Sequence, residues 1–271
     1  LNRALSTQPA AWLPAASLLP TFLYIEMKQA MIFAAGLGTR LKPLTDSRPK
    51  ALIEVGGQPL LKRVILKLRD AGFTRIVVNV HHLAGQIVDY LQANGNFGLD
   101  IRISDESSHL LDTGGGIKKA LHFFDPSSPI LIHNVDIVSN VDLSSFYARA
   151  AQNDATLLVS DRETKRYLLF DDDMLLSGWT NIETGEVRSP YPGIRPETLH
   201  RYAFSGIHVF SPFLAPCLME MPEKFSIIDF YLRWCADYPF RGCVQPGLRL
   251  IDVGKMDTLA QAEQQLSQME G

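Results

Sequence analysis

Cysteine is scarce in this sequence: three residues among 271, at positions 217, 235 and 243. They form no Cys-x-x-Cys pair and leave at least one thiol unpaired, which excludes a disulfide framework and a thiolate zinc site. A reduced, cytoplasmic setting is the expectation. Positive charge is not in excess either, since 26 Lys and Arg against 29 Asp and Glu leave a formal net charge of −3. A nucleic-acid binder that works through a basic surface carries more positive charge, so no nucleic-acid partner is expected. The apolar stretch from Ala10 to Tyr24 is broken by Pro14 and Pro20, which makes it a poor membrane span, and no membrane partner is expected. There is no His-x-x-x-His pair and no Gly-x-Ser-x-Gly elbow, so zinc or serine hydrolysis has no support.

What is present is ordinary globular material. Hydrophobic residues make up 46% and charged residues 20%, enough apolar content for a packed core and too much for a disordered chain. Residues 1–26 differ from the rest, with one basic side chain (Arg3), one acidic side chain (Glu26), and prolines at 9, 14 and 20. Arg3 is a thin basic region and Tyr24-Ile25-Glu26 a poor cleavage site, which weighs against a secretion signal. The expectation is a non-core extension over 1–26 and one domain over 27–271.

From Met27 onward strand and helix patterns alternate. Residues 30–35 form a continuous apolar run ending at Gly36, the pattern of a strand buried on both faces. Leu60, Leu61, Val64, Ile65 and Leu68 recur at helical spacing, and Gly72 closes that helix. Further strands are expected over 75–80, 101–104 and 129–133, with a helix through Ile87 and Leu91. A Gly114-Gly115-Gly116 turn should lead into a helix over 117–124. Later strands are expected at 155–160, 166–170, 203–210 and 248–253, a capping box at Ser226–Asp229 opening a helix through Trp234, and a terminal helix over 258–269. The pattern predicts an α/β fold with a doubly wound, mostly parallel mixed sheet, and a small substrate-side subregion inserted near 155–210.

The strongest chemical signal follows the first strand: Gly36-Leu37-Gly38-Thr39-Arg40-Leu41-Lys42-Pro43-Leu44-Thr45, then Pro49-Lys50. A Gly-rich loop at the carboxyl end of a parallel strand lies where open α/β sheets bind ligands. Glycines let backbone N–H groups close on phosphate oxygens, so Ala35, Gly36, Gly38 and Thr39 are candidates to wrap a nucleotide. Arg40 offers a planar fork for phosphate and Lys50 a compact charge. Leu41 stands where a dinucleotide fingerprint needs its third glycine, and no Gly-Lys-Ser/Thr follows to make a Walker A loop. The glycine pair alone fits a structural turn equally well. The whole run through Lys50 points to phosphate.

A second signal is a pair of carboxylates at strand ends. The strand 130–133 delivers Asn134-Val135-Asp136, and Asp252 ends the last strand beside Val253-Gly254. Mg²⁺ takes one or two carboxylates with phosphate oxygens and water, which makes Asp136 and Asp252 candidate metal ligands.

The run 36–50 resembles the signature of the sugar-1-phosphate nucleotidyltransferases. Within that family the resemblance is to the branch that joins UTP and N-acetylmuramic acid 1-phosphate, and somewhat less to mannose-1-phosphate guanylyltransferases. It extends from about Met27 to the terminal helix. It implies a Rossmann-like, GT-A-like domain, a nucleoside triphosphate and a sugar 1-phosphate as substrates, and Mg²⁺ as cofactor. Arg40 would act on the departing pyrophosphate and Lys50 on the α-phosphoryl region. Asp112-Thr113-Gly114-Gly115-Gly116-Ile117 resembles the muramic-type segment whose backbone borders the nucleoside, which brings in Gly114 and Gly115. Asn79 and Glu106 either line that pocket or are ordinary strand-end and loop polarity.

On the sugar side, Arg166-Tyr167-Leu168-Leu169-Phe170 and Gly178-Trp179-Thr180-Asn181 resemble the muramic-type enzymes and depart from hexose-specific relatives, which carry Glu-Lys-Pro in the comparable region. Which basic side chain holds the sugar phosphate is left open. Asn134, Trp179, Asn181, Ser205, Gly206 and Asp229 are the candidates for substrate contact. Trp179 is otherwise packing, Gly206 a bulge, and Asp229 a capping residue. A non-catalytic nucleotide-sugar sensor on the same fold is the rival from another class, and it would be expected to lose Arg40, Lys50 or an aspartate. The oligomeric state is not legible.

Overall fold

The computed structural model describes residues 27–269, so the expected extension over 1–26 lies outside the described residues. Strands β1 (Gln29–Phe33), β2 (Glu54–Val55), β3 (Gln58–Pro59), β4 (Arg75–Val80), β5 (Asp100–Asp105), β6 (Ile130–Asn134) and β7 (Ile137–Ser139) fall in the first half. With them run helices α1 (Leu44–Ser47), α2 (Leu60–Asp70), α3 (Ala84–Ala93), α4 (Asp112–Ala120) and α5 (Leu143–Ala150). The second half adds β8 (Ala155–Ser160), β9 (Arg166–Phe170), β10 (Leu176–Asn181), β11 (Glu186–Arg188), β12 (His200–Phe210), β13 (Phe240–Val244) and β14 (Leu250–Asp252). Helices α6 (Ala215–Glu220), α7 (Ile227–Trp234) and α8 (Met256–Met269) complete it.

Four strands pair in parallel in the order β5-β4-β1-β6. β12 continues that sheet antiparallel to β6, β8 pairs antiparallel with β12, and β13 closes the edge parallel to β8. Side chains of β1 alternate between two cores, as a strand covered on both faces requires. Ala30 and Ile32 meet α2, α3, α5 and α8 through residues such as Leu61, Ile87, Phe146 and Ala262. Met31 meets α4 and α7 on the other face, through Ile117 and Tyr231. Helices on both faces of a largely parallel sheet make the fold doubly wound, as expected.

Two expectations need correction. The inserted subregion is smaller than 155–210, because β8 and the last residues of β12 are integral to the central sheet. What stands apart is the antiparallel leaf β9-β10-β11, which joins through pairing of β9 with His200–Tyr202. The three glycines are not a turn. Gly114, Gly115 and Gly116 are buried inside α4, which begins at Asp112, and a separate 3-10 turn covers Leu121–Phe123.

Candidate active site

The chain order reverses between β1 and β6, which makes their carboxyl ends the crevice where an open α/β sheet binds ligands. Phe33 is in register with Asn79 on one side and Asn134 on the other, so three strand ends form one row. A cavity of about 380 Å³ opens above it, lined by Ala35, Gly36, Lys50, Asn79, Glu106 and Asn134 among others, and reaching Asp136. Every one of these residues was expected in the site.

The floor is a closed polar network. Asn79 Oδ1 accepts from Ala34 N at 2.7 Å, and Asn79 Nδ2 donates to Glu106 Oε1 at 2.8 Å. Glu106 Oε2 accepts from Leu111 N at 3.1 Å. Glu106 is fully buried, and a buried carboxylate is tolerable only when hydrogen-bonded in this way. A Cβ on Gly116 would stand 2.9 Å from Glu106 Oε1 and 3.1 Å from Asn79 Nδ2, so that glycine makes room for the pair. Asn79 and Glu106 therefore shape the pocket, tying the start of the glycine loop to the start of α4.

Past Ala34 the backbone turns outward. The amide N–H groups of Ala35, Gly36, Leu37 and Gly38 donate to no other group among the described residues, which leaves a row of free donors. Gly38 sits at φ 64° and its carbonyl accepts from Leu41 N and Thr45 Oγ1, both at 2.8 Å. A side chain there would meet Thr45 Cγ2 at 2.7 Å as well as strain the backbone. Thr39 and Arg40 follow, exposed at the rim.

Asp136 and Asp252 meet because β7 and β14 are an antiparallel pair. Asp252 is in register with Ile137, and Val253 N donates to Asp136 O at 2.8 Å. Lys50 Nζ is ion-paired to Asp136 Oδ2. Asp252 Oδ1 is buried with no hydrogen-bond partner among the described residues. Burial, and then the charge of Asp136, push the Asp252 carboxyl above the usual carboxylate range, while Lys50, Arg40 and Arg162 pull it down. A Cβ on Gly254 would lie 2.7 Å from Asp252 Oδ1 and 3.0 Å from Arg40 Nη2, so Arg40 and Asp252 crowd one glycine. An orphaned buried carboxylate oxygen beside a second carboxylate is a donor set that suits Mg²⁺.

The other expected residues on the nucleoside and sugar sides do not line this cavity. The N–H groups of Gly114 and Gly115 donate to Phe225 O at 2.9 and 3.3 Å, so they are not free for a nucleoside. A Cβ on Gly114 would come within 2.2 Å of the Phe225 ring, and on Gly115 within 2.3 Å of Glu223 O. These glycines are small because the 223–225 segment packs against them. Asn181 Oδ1 accepts from Glu183 N at 3.0 Å in the turn after β10, a hairpin role. The capping box is half formed: Ser226 Oγ accepts from Ile228 N at 3.3 Å, but Asp229 pairs with Arg188. Arg188 also stands 5.5 Å over the Trp179 ring, so Trp179 and Asp229 are joined through an arginine that the sequence reading did not single out. Gly206 sits at φ 72° in the irregular part of β12, where a Cβ would be 2.8 Å from Asn134 Nδ2, and Ser205 Oγ beside it is buried without a partner among the described residues.

Asp112 and Thr113, named from sequence only as part of the glycine segment, line the cavity, as does Lys224, which sequence reasoning did not single out. Thr113 Oγ1 accepts from Ile227 N at 2.9 Å and locks α4 to α7. Asp112 has φ 63°, strained for a residue with a side chain, and its Oδ1 accepts from Thr113 N at 2.6 Å.

A glycine loop with free N–H groups, the cations Arg40 and Lys50 and two paired aspartates meet at the switch point of a doubly wound sheet, the place where open α/β sheets bind ligands. Residues 29–170 match the family described as nucleotidyl transferase. The chain is 34% identical over 252 residues to the N-acetylmuramate alpha-1-phosphate uridylyltransferase of Caulobacter vibrioides, covering 89% of this chain and 98% of that protein. It is 40% identical over 123 residues to the enzyme of the same name from Neisseria meningitidis, covering 45% of this chain and 53% of that one. Among solved structures, UDP-glucose pyrophosphorylase complexed with UDP-glucose shares the fold with a TM-score of 0.70 at 14% identity, over 89% of this chain and 99% of that one. HddC from Yersinia pseudotuberculosis, complexed with GMP-PN, does so with a TM-score of 0.69 at 22% identity, over 89% and 100%. The chain belongs to the nucleotidyl transferase family, and within it to the sugar-1-phosphate nucleotidyltransferases. No helix among the described residues is long and apolar enough to cross a membrane.

Proposed function

We propose that the protein transfers UMP from UTP to N-acetylmuramic acid 1-phosphate. A phosphate oxygen of the sugar phosphate attacks the α-phosphorus in line, the bond from the α-phosphorus to its bridging oxygen breaks, and pyrophosphate leaves with both electrons of that bond. The attacking oxygen is already anionic at neutral pH, so neither a covalent intermediate nor a strong base is needed. Alignment and charge neutralisation carry the rate. The free N–H row of 35–38 suits the triphosphate, Arg40 the departing pyrophosphate, and Lys50, one side chain from Asp136, the α-phosphoryl oxygens. Bound by Asp136 and Asp252, Mg²⁺ would supply neutralising charge to the phosphoryl oxygens.

The observation that carries this reading is the meeting of Lys50, Asp136, Asp252 and Arg40 at one strand end. The choice of uridine and muramic acid is supported by the near full-length similarity to the Caulobacter uridylyltransferase. UTP and the other common triphosphates, assayed against N-acetylmuramic acid, glucose, mannose and N-acetylglucosamine 1-phosphates with Mg²⁺, test it through pyrophosphate release. Greatest turnover is expected for UTP with the muramic sugar. Preference for GTP with mannose 1-phosphate would replace this specificity, and no release from any pair would support the sensor reading.

A further inference from the structure

We propose that the protein has a second ligand cavity, behind the one at the switch point, that takes an uncharged hydroxylated ring such as a free sugar. This cavity has a volume of about 510 Å³ and lies between α2, the segment 133–144 and Leu266 of α8. The two cavities stand back to back across one stretch of chain. Asn134 and Asp136 line the switch-point cavity, His133, Ile137 and Ser139 line the second, and Val135 touches both. Neighbouring side chains of an extended segment point to opposite faces, so the stretch that carries Asp136 is itself the partition.

The polar groups of the second cavity name the chemistry it would take. His133 Nδ1 lies 2.7 Å from Asn134 O, and because a carbonyl only accepts, Nδ1 is the donor. Burial pushes the pKa of this ring down to about 4, which leaves it neutral and Nε2 a bare acceptor. The side chain is 1% exposed, and Nε2 has no partner among the described residues. A buried polar atom left in this way calls for one. Across the cavity Lys67 Nζ donates to Ser139 O and, at 3.4 Å, to Ser139 Oγ, so one N–H of the ammonium stays uncommitted among the described residues. A hydroxyl answers both groups, donating to His133 and accepting from Lys67. An anion would set its charge against the His133 lone pair. Nor does the wall select an ion, since Arg63 and Lys67 are balanced there by Asp70 and Asp142. Val64, Ile137 and Leu266 add apolar surface for the C–H face of a ring.

The test is titration calorimetry on the full chain, with glucose and N-acetylglucosamine as probes and Lys67→Met and Leu66→Trp as variants. Wild type should bind at least one of the two sugars with a Kd of about 1 mM or below. Lys67→Met removes a charged hydrogen bond and should weaken that binding about tenfold or more. Leu66 also lines the cavity, so Leu66→Trp should fill it and abolish binding. Hydrogen exchange at saturating sugar should slow over 133–139 and α2. No heat from wild type with either sugar up to about 20 mM would overturn the proposal. So would unchanged binding in both variants, or protection confined to 35–50 and 106–116, which would seat the sugar in the switch-point cavity. Thermal melts check that the variants fold, and should one of them fail to, the other carries the test.

Discussion

Lys50 and Asp136 form a side-chain ion pair across 86 residues of sequence, with their side chains only 11% and 17% exposed. The pair joins the segment after β1 to the segment after β6 and places a cation against a carboxylate that the proposed reaction would also use to hold Mg²⁺. Lys50→Met should lower kcat about 10²- to 10³-fold, the cost of losing one preorganised charge at a phosphoryl centre. It should also leave Asp136 and Asp252 facing each other without that neutralising charge, lowering Tm in metal-free buffer. Pyrophosphate release and thermal melts check both, and a variant with unchanged kcat would remove Lys50 from the chemistry.

The polar floor gives a stability prediction. Asn79→Ala would leave the Ala34 N–H and Glu106 Oε1 without partners in a buried site. The expected loss is about 2–4 kcal/mol, one to three for each unsatisfied group with partial relaxation. Urea unfolding measures it, and a loss below about 0.5 kcal/mol would mean that the network does not hold the loop.

Glycines in this protein are small for two reasons, and substitution separates them. A Cβ at Gly36 would touch nothing within 4 Å, whereas at Gly114 it would run into the Phe225 ring at 2.2 Å. Gly36→Ala should therefore melt like wild type while raising KM for UTP. Gly114→Ala should lose about 1–3 kcal/mol or more through overpacking between α4 and the 223–225 segment. Equal melting temperatures for the two variants would contradict this division.

Two buried histidines make stability depend on pH. Burial depresses the folded-state pKa of His133 to about 4 and of His208 to about 3. His208 Nδ1 lies 2.5 Å from Tyr231 Oη, and His133 Nδ1 lies 2.7 Å from Asn134 O. The unfolded chain takes up protons near pH 6.5 while the folded one refuses them, so their contribution is complete above about 6.5 and declines as pH falls. At pH 5 each should cost about 2 kcal/mol relative to neutral pH. Unfolding curves between pH 5 and 7.5 for wild type and His208→Gln check this: the variant should have the shallower slope, and parallel slopes would refute it.

Much of the switch-point cavity was legible from sequence because its lining lies on the chain in order: a buried strand, then Gly36 to Lys50, then Asp136 at the next strand end. Strand β8 was legible at its full extent, Ala155–Ser160, from its apolar and β-branched run. β10 and β13 were missed because glycines at 178 and 242 interrupt them, and those glycines exist to accommodate neighbours such as Arg188 O and the Phe170 ring. The packing of Gly114 and Gly115 against Phe225 and Glu223 was not legible either, since a contact across more than a hundred residues leaves no local mark. Arg188 was invisible as a partner of Trp179 and Asp229 because that cluster forms only when the β9-β10-β11 leaf meets α7.

The most direct test of the whole account is the ³¹P spectrum of a reaction containing the protein, UTP, N-acetylmuramic acid 1-phosphate and Mg²⁺. The account predicts stoichiometric pyrophosphate and a new uridine diphosphate sugar, both abolished by Asp136→Asn together with Asp252→Asn. Release of orthophosphate and UDP would contradict it, since the bond broken would then lie beyond the α-phosphorus.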